Sequence, residues 1–155
     1  MWYWGPGILD APHHPTVLDE GRVLVFDNGM HRGYSRLLEV DPRSNEIVWE
    51  YRADPPESFF TAVRGSSQRL PNGNTLVTEA DHGRVFEITR EGEIVWEFFN
   101  PILIPADSEL VEMHDGFRPE ITGEGLLRET IYRATRVVEP QMRDLLARRL
   151  AGALR

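Results

Sequence analysis

The sequence predicts an all-β fold, and two observations carry that prediction. The first is an internal repeat. Arg22–Tyr51 and Asn74–Phe98 align, RVLVFDN on NTLVTEA, SRLLEVDPRSN on GRVFEITREGE, and EIVWEY on EIVWEF. The second is punctuation. Asp19-Glu20-Gly21, Pro42-Arg43-Ser44-Asn45, Pro71-Asn72-Gly73 and Arg90-Glu91-Gly92 separate the apolar runs with turn-forming residues. The copies are offset by 47 to 52 residues, which suits a four-stranded unit and is too long for a leucine-rich repeat. Such units read as blades of a partial β-propeller: about two four-stranded blades, extra strands and a C-terminal α-helix. A generic antiparallel sheet or sandwich is the alternative. The near-identical fourth strands favour blades.

The elements follow in chain order. Trp2-Tyr3-Trp4 before Gly5-Pro6-Gly7 reads as a strand end and a turn. It resembles the Trp-x-aromatic endings of EIVWEY and EIVWEF, so it is expected to be a third copy whose upstream partners are missing. The first blade, about residues 12–52, takes strands at Pro15–Leu18, Arg22–Phe26, Arg36–Asp41 and Glu46–Tyr51. The second, about residues 64–100, takes Ser67–Leu70, Thr75–Glu79, Arg84–Thr89 and Glu93–Phe98. Alternation places Ile47, Trp49 and Tyr51 on one face. Between the blades, Asp54-Pro55-Pro56 turns the chain and Phe59-Phe60 anchor it. Residues 102–125 read as a loop, and 130–138 as one further strand that closes a propeller region spanning 1–138. Residues 139–155 form the helix, with Pro140 at its first position. Met142, Leu145, Leu146 and Leu150 make a stripe expected to face the sheets or a neighbouring chain. The arginines opposite read as a solvated face, with a membrane-surface or partner role as the alternative.

Composition narrows the function classes. With 155 residues and 41% hydrophobic content the chain can build a core. A net charge of −8 argues against nucleic-acid binding, although the segment from Glu124 onward carries seven Arg against four acids. No cysteine is present, which removes disulfides and thiolate metal sites. No apolar run is long enough to span a membrane, and the N-terminus lacks a signal-peptide layout.

The chemistry-bearing residues cluster at strand starts. His13 and His14 form the only adjacent histidine pair and open the innermost strand of the first blade, where a propeller lines its channel. Pro15 stiffens the backbone just past them. Arg64, Gly65 and Ser66 occupy the corresponding place in the second blade, so Arg64 is a candidate anion ligand, with a surface ion pair as the alternative. His31 and Arg32 sit in a loop at the rim, Arg36 at a strand start, His82 in a turn and His114-Asp115 in an unpatterned loop. Asn28-Gly29 and Asn72-Gly73 read as turns. The five histidines lack metal-ligand spacing, so neither a metal nor a cofactor is expected.

FDNG, YSR followed by EVDP, QRLPNGNTLV and GEIVWE, in that order, resemble the C-terminal blades of the arylsulfotransferase family. The likeness covers about Trp2–Pro101, with a weaker continuation through IYRATRV. It implies a six-bladed propeller that moves a sulfuryl group from an aryl sulfate to a phenol without a nucleotide sulfate donor. A histidine is transiently sulfurylated on the way. The family's nucleophile precedes the strand leading to FDNG, which implies His13, with His14 as the adjacent alternative. Pro12 stands where the family usually has Gln, and His14 where Asn or Asp is common. His14, Arg64 and Ser66 are then the substrate-binding candidates, and an aryl sulfate and a phenolic acceptor the partners. Members are often exported or periplasmic. Two blades cannot close such a ring, so self-association or upstream blades are expected, or else a non-catalytic fragment that binds a ligand or a protein.

Overall fold

A computed structural model describes residues 1–107 and 121–153. Eight strands form two antiparallel sheets. The first contains β1 (Pro12–Val17), β2 (Val23–Asp27), β3 (Arg36–Asp41) and β4 (Glu46–Tyr51), in that order. The second contains β5 (Ser66–Arg69), β6 (Thr75–Glu79), β7 (Arg84–Ile88) and β8 (Ile94–Phe99), also in sequence order. The repeat therefore produces the same four-strand meander twice, and the class is all-β with one helix.

The register makes the equivalence residue-specific. Phe26 lies opposite His13, and Thr78 opposite Ser66. Trp49 lies opposite Glu39 and Trp96 opposite Glu87, each followed by a register shift. Charge repeats with the strands. Asp27, Arg36 and Glu50 form one acid–arginine–acid line, and Glu79, Arg84 and Glu97 form its counterpart.

The sheets are joined by aromatic packing. Phe26, Leu37 and Tyr51 of the first sheet meet Val77, Phe86 and Ile88 of the second. Phe59, from the connection between them, stands edge-on to both Phe26 (5.6 Å, 76°) and Phe86 (5.5 Å, 89°). Its expected anchoring role is fulfilled, and edge-to-face geometry adds to the burial it provides. Gly65 shows how closely the connection approaches: a Cβ there would lie 2.9 Å from the Phe26 ring, and its φ of +84° is one glycine adopts freely.

Four expectations are corrected. β1 begins at Pro12 rather than Pro15, because a bulge sets His14 and Pro15 against Val25 between the His13–Phe26 and Thr16–Leu24 pairs, with His14 at φ +48°. Residues 102–125 are not all loop, since β9 (Leu103–Pro105) pairs with β10 (Leu126–Arg128). Residues 130–138 form no strand. Two of their backbone N–H groups go to side chains, Ala134 to Thr78 Oγ1 and Arg136 to Gln68 Oε1, and a third, Ile131, to the Ala80 carbonyl, while Ile131, Ala134 and Val138 pack on Leu70, Leu76 and Val85 of the second sheet instead of extending it. Helix α1 (Pro140–Ala153) has its first residue at the expected proline, but Met142, Leu145, Leu146 and Leu150 are exposed rather than packed on the sheets. His114 and Asp115 lie outside the described residues.

Candidate functional site

The site is built from the start of β1, the end of β2 and the connection into β5. His13 is half-buried at the beginning of β1. Its Nδ1 lies 2.8 Å from Asn28 Oδ1 and 3.2 Å from the Ala11 carbonyl. Asn28 is fully buried just past β2. Its amide nitrogen donates to the carbonyls of Thr61 and Arg64, both at 2.8 Å. Those two bonds fix the amide's orientation, so the atom facing His13 is oxygen. An imidazole nitrogen facing two oxygen acceptors must carry the hydrogen, which leaves Nε2 with the lone pair. The Arg64 backbone N–H approaches Nε2 at 3.4 Å, at the long limit of a hydrogen bond.

His14 takes a different environment. Its Nδ1 is buried without a hydrogen-bond partner. Burial and, secondarily, the Arg133 charge hold its pKa below the ordinary histidine value, against a backbone hydrogen bond with Ser67. Arg64 holds left-handed backbone geometry at φ +67° and reaches His13 through its main chain. Ser66 is buried, and its hydroxyl donates to Thr78 Oγ1 at 3.0 Å. His13 and Arg64 are thus brought together directly, while Ser66 lies on β5 with its hydroxyl committed to Thr78.

Among the described residues, the other two histidines serve loops. His31 Nδ1 meets Asp10 at 2.7 Å, and His82 Nδ1 meets Glu79 at 2.9 Å. Although burial opposes it, Asp10 sits below the usual carboxylate range because the His31 ring and the backbone N–H groups of Arg32 and His31 bond to it. A cleft of about 490 Å³ opens beside β4 and β8, lined by Trp49, Tyr51, Arg84 and Arg90. Another of about 470 Å³ is lined by Arg22, Glu39, Arg69 and Arg90. His13 lines neither. Among the described residues, no group of three or more His, Asp or Glu is placed to hold a metal ion, and no helix is long and apolar enough to cross a membrane.

Sequence reasoning missed Asn28, taking it for turn chemistry. The signal was in the repeat. Asn28 corresponds to Ala80, and His13 to Ser66, so the second unit lacks both partners of the contact. Two polar departures from a repeat that fall within bonding distance are unlike ordinary turn substitution.

Comparison with known proteins bears on the same segment. The arylsulfotransferase (ASST) family model matches residues 10–101. Among solved structures, a protein of unknown function from Bacteroides caccae is similar at 24% identity with a TM-score of 0.41, over 57% of this chain. The chain spans 31% of that protein's length. No curated protein matches the sequence. The family match extends from just before β1 to just past β8, takes in both sheets and covers more than half the chain, and the protein belongs to the arylsulfotransferase family.

Proposed function

We propose that this chain carries the nucleophile of a sulfuryl transfer from an aryl sulfate to a phenol, and that His13 is that nucleophile. The observation that carries the reading is the His13 Nδ1–Asn28 Oδ1 contact at 2.8 Å, which turns the lone pair onto Nε2. In the forward half-reaction Nε2 attacks sulfur, an N–S bond forms and the aryl S–O bond breaks. The phenolate leaves with the electron pair and takes up a proton. The sulfurylated ring is cationic because Nδ1 keeps its hydrogen, and Asn28 Oδ1 and the Ala11 carbonyl face that charge. In the second half-reaction the acceptor phenol loses its proton, its oxygen attacks sulfur, and the N–S bond returns its electrons to Nε2.

The other candidates take supporting roles. The Arg64 N–H can pass from Nε2 to a sulfuryl oxygen as the nitrogen engages sulfur, a donor aimed at developing charge. His14 and the Arg64 side chain are assigned to the sulfate, with Ser66 shaping the wall between β5 and β1. The two sheets act here as adjacent blades of a partial propeller whose inner strands β1 and β5 face the channel. A binding-module reading is favoured by a different feature, the exposed aromatic strand β8 treated below.

The test is a rapid-mix assay of the full chain with p-nitrophenyl sulfate, followed by intact-protein mass. Wild type should release phenol in a stoichiometric burst and gain one sulfuryl group, and His13→Ala should lose both. A wild-type chain with no burst would favour the binding module. If His14→Ala loses the burst and His13→Ala keeps it, the nucleophile is the neighbouring ring.

A further inference from the structure

The interface between the sheets occurs a second time with one half absent. On the first sheet, Trp49 donates its indole N–H to the Arg90 carbonyl in the β7–β8 turn at 2.8 Å. The guanidinium groups of Arg69 and Arg90 lie over its ring at 4.8 and 5.6 Å, and Arg90 continues to Glu39 at 2.6 Å. Tyr51, two residues on, packs against Phe59 and Phe86 and is 7% exposed.

The second sheet repeats the receiving half. Arg136 lies over Trp96 at 5.0 Å and reaches Glu87 at 2.6 Å, taking the place of Arg69. Among the described residues, no counterpart of Arg90 and no turn carbonyl meets Trp96. Phe98 stands where Tyr51 stands, yet is 43% exposed. The pair borders a shallow cleft of about 300 Å³ with Leu76, Val85, Ile131 and Ala134. Contiguous apolar surface of this kind marks an interaction site.

The matching seat is on the same chain. Trp2 and Trp4 stack at 6.5 Å and 8°, as Trp96 and Phe98 do at 6.4 Å and 7°. Both N-terminal indoles donate to Asn45 in the β3–β4 turn, Trp2 to Oδ1 at 2.9 Å and Trp4 to the carbonyl at 3.2 Å. That turn is the first sheet's counterpart of the turn that carries Arg90. It also holds Arg43, a largely exposed guanidinium bonded to Asp41.

We propose that Trp96 and Phe98 of one copy dock on the β3–β4 turn of a second copy, replacing Trp2 and Trp4 at Asn45. The contact continues the interface already present between the two sheets, and Arg43 of the receiving copy supplies the cation that Arg90 supplies within the chain. Such an interface is heterologous: each copy offers a different face and keeps one of each kind free until the assembly closes.

Light scattering of the full chain over a concentration series tests this. Wild type should associate. Trp96→Ser/Phe98→Ser should weaken association roughly tenfold or more, since buried aromatic anchors dominate such interfaces. Trp2→Ser/Trp4→Ser should strengthen it by removing the internal competitor. Arg43→Glu, at a largely exposed position in the turn, should weaken it a few-fold in a variant that keeps the wild-type melting temperature. A wild type that stays monomeric throughout overturns the proposal and leaves the β8 face to a different protein. So does association that survives Trp96→Ser/Phe98→Ser in a folded variant, or that weakens when Trp2 and Trp4 are removed.

Discussion

Asn28 does two things with one amide. Its nitrogen ties the Thr61 and Arg64 carbonyls together, and its oxygen orients His13. Asn28→Ala removes both, and leaves two buried carbonyls without that donor, so it should cost about 1–3 kcal/mol. Asn28→Asp separates the roles: a carboxylate still accepts from His13 but cannot donate to the carbonyls. In calorimetry Asn28→Asp should destabilise as Asn28→Ala does. In the burst assay it should retain more histidine sulfurylation than Asn28→Ala. Equal loss of sulfurylation in the two variants would reduce Asn28 to a structural tie. The histidine pair was legible from sequence because two adjacent imidazoles before a strand are unusual. Its buried partner was not, because Asn-Gly is also what a plain turn requires.

At the level of the strand, the buried acids of β3 and β7 gather arginines from neighbouring segments. Glu39 accepts from Arg22 and Arg69 at 2.9 Å and from Arg90 at 2.6 Å. Burial pushes its carboxyl up, but the bonds from Arg90 and Arg22 and the Arg90 and Arg69 charges win and hold it below the usual range. Glu87 is lowered in the same sense, with Asn74 and Asn72 as donors and Arg136 as the nearby charge outweighing burial. A folded-state pKa below the unfolded one means stability that is fully present above the ordinary value of 4.5 and is lost as pH falls through the depressed values. Melting temperature should therefore fall on acidification below that range. Glu39→Gln should flatten this acid limb while lowering stability at neutral pH. Removing one partner of a buried pair costs about 3–5 kcal/mol, and the lower end applies because Arg22 and Arg90 retain solvent contact. An unchanged acid limb in Glu39→Gln would assign the pH dependence to other carboxylates. Strand positions and turns were legible because alternation and Gly-Asn-Pro punctuation are local. The bulge at His14 was not, since it depends on the pairing of β1 with β2.

For the whole molecule, the repeat told most of the architecture and little of its ends. Four strands per unit and the equivalence of Trp49 and Trp96 follow from one alignment of two segments, and the Phe59 anchor from the aromatic pair in the connection between them. Beyond residue 101 no repeat guides the reading, and there the expected strand is absent and the helix stripe does not pack on the sheets of its own chain. The exposed stripe of α1 has a direct consequence. Truncating the chain after Glu139 should leave the melting temperature of the sheets unchanged at concentrations where the chain is monomeric, because the stripe of α1 is exposed rather than part of either core cluster. A clear drop in melting temperature would mean that the stripe packs on the sheets after all. The four tryptophans carry one last consequence. Trp49 is caged by two guanidinium groups and a turn carbonyl, whereas Trp2 and Trp96 face water. Indole emission shifts to shorter wavelength as water leaves the ring, so the chain holds its own spectroscopic ruler: Trp49 reports the interface between the sheets, while the half-exposed rings of Trp2 and Trp96 register whatever covers either end.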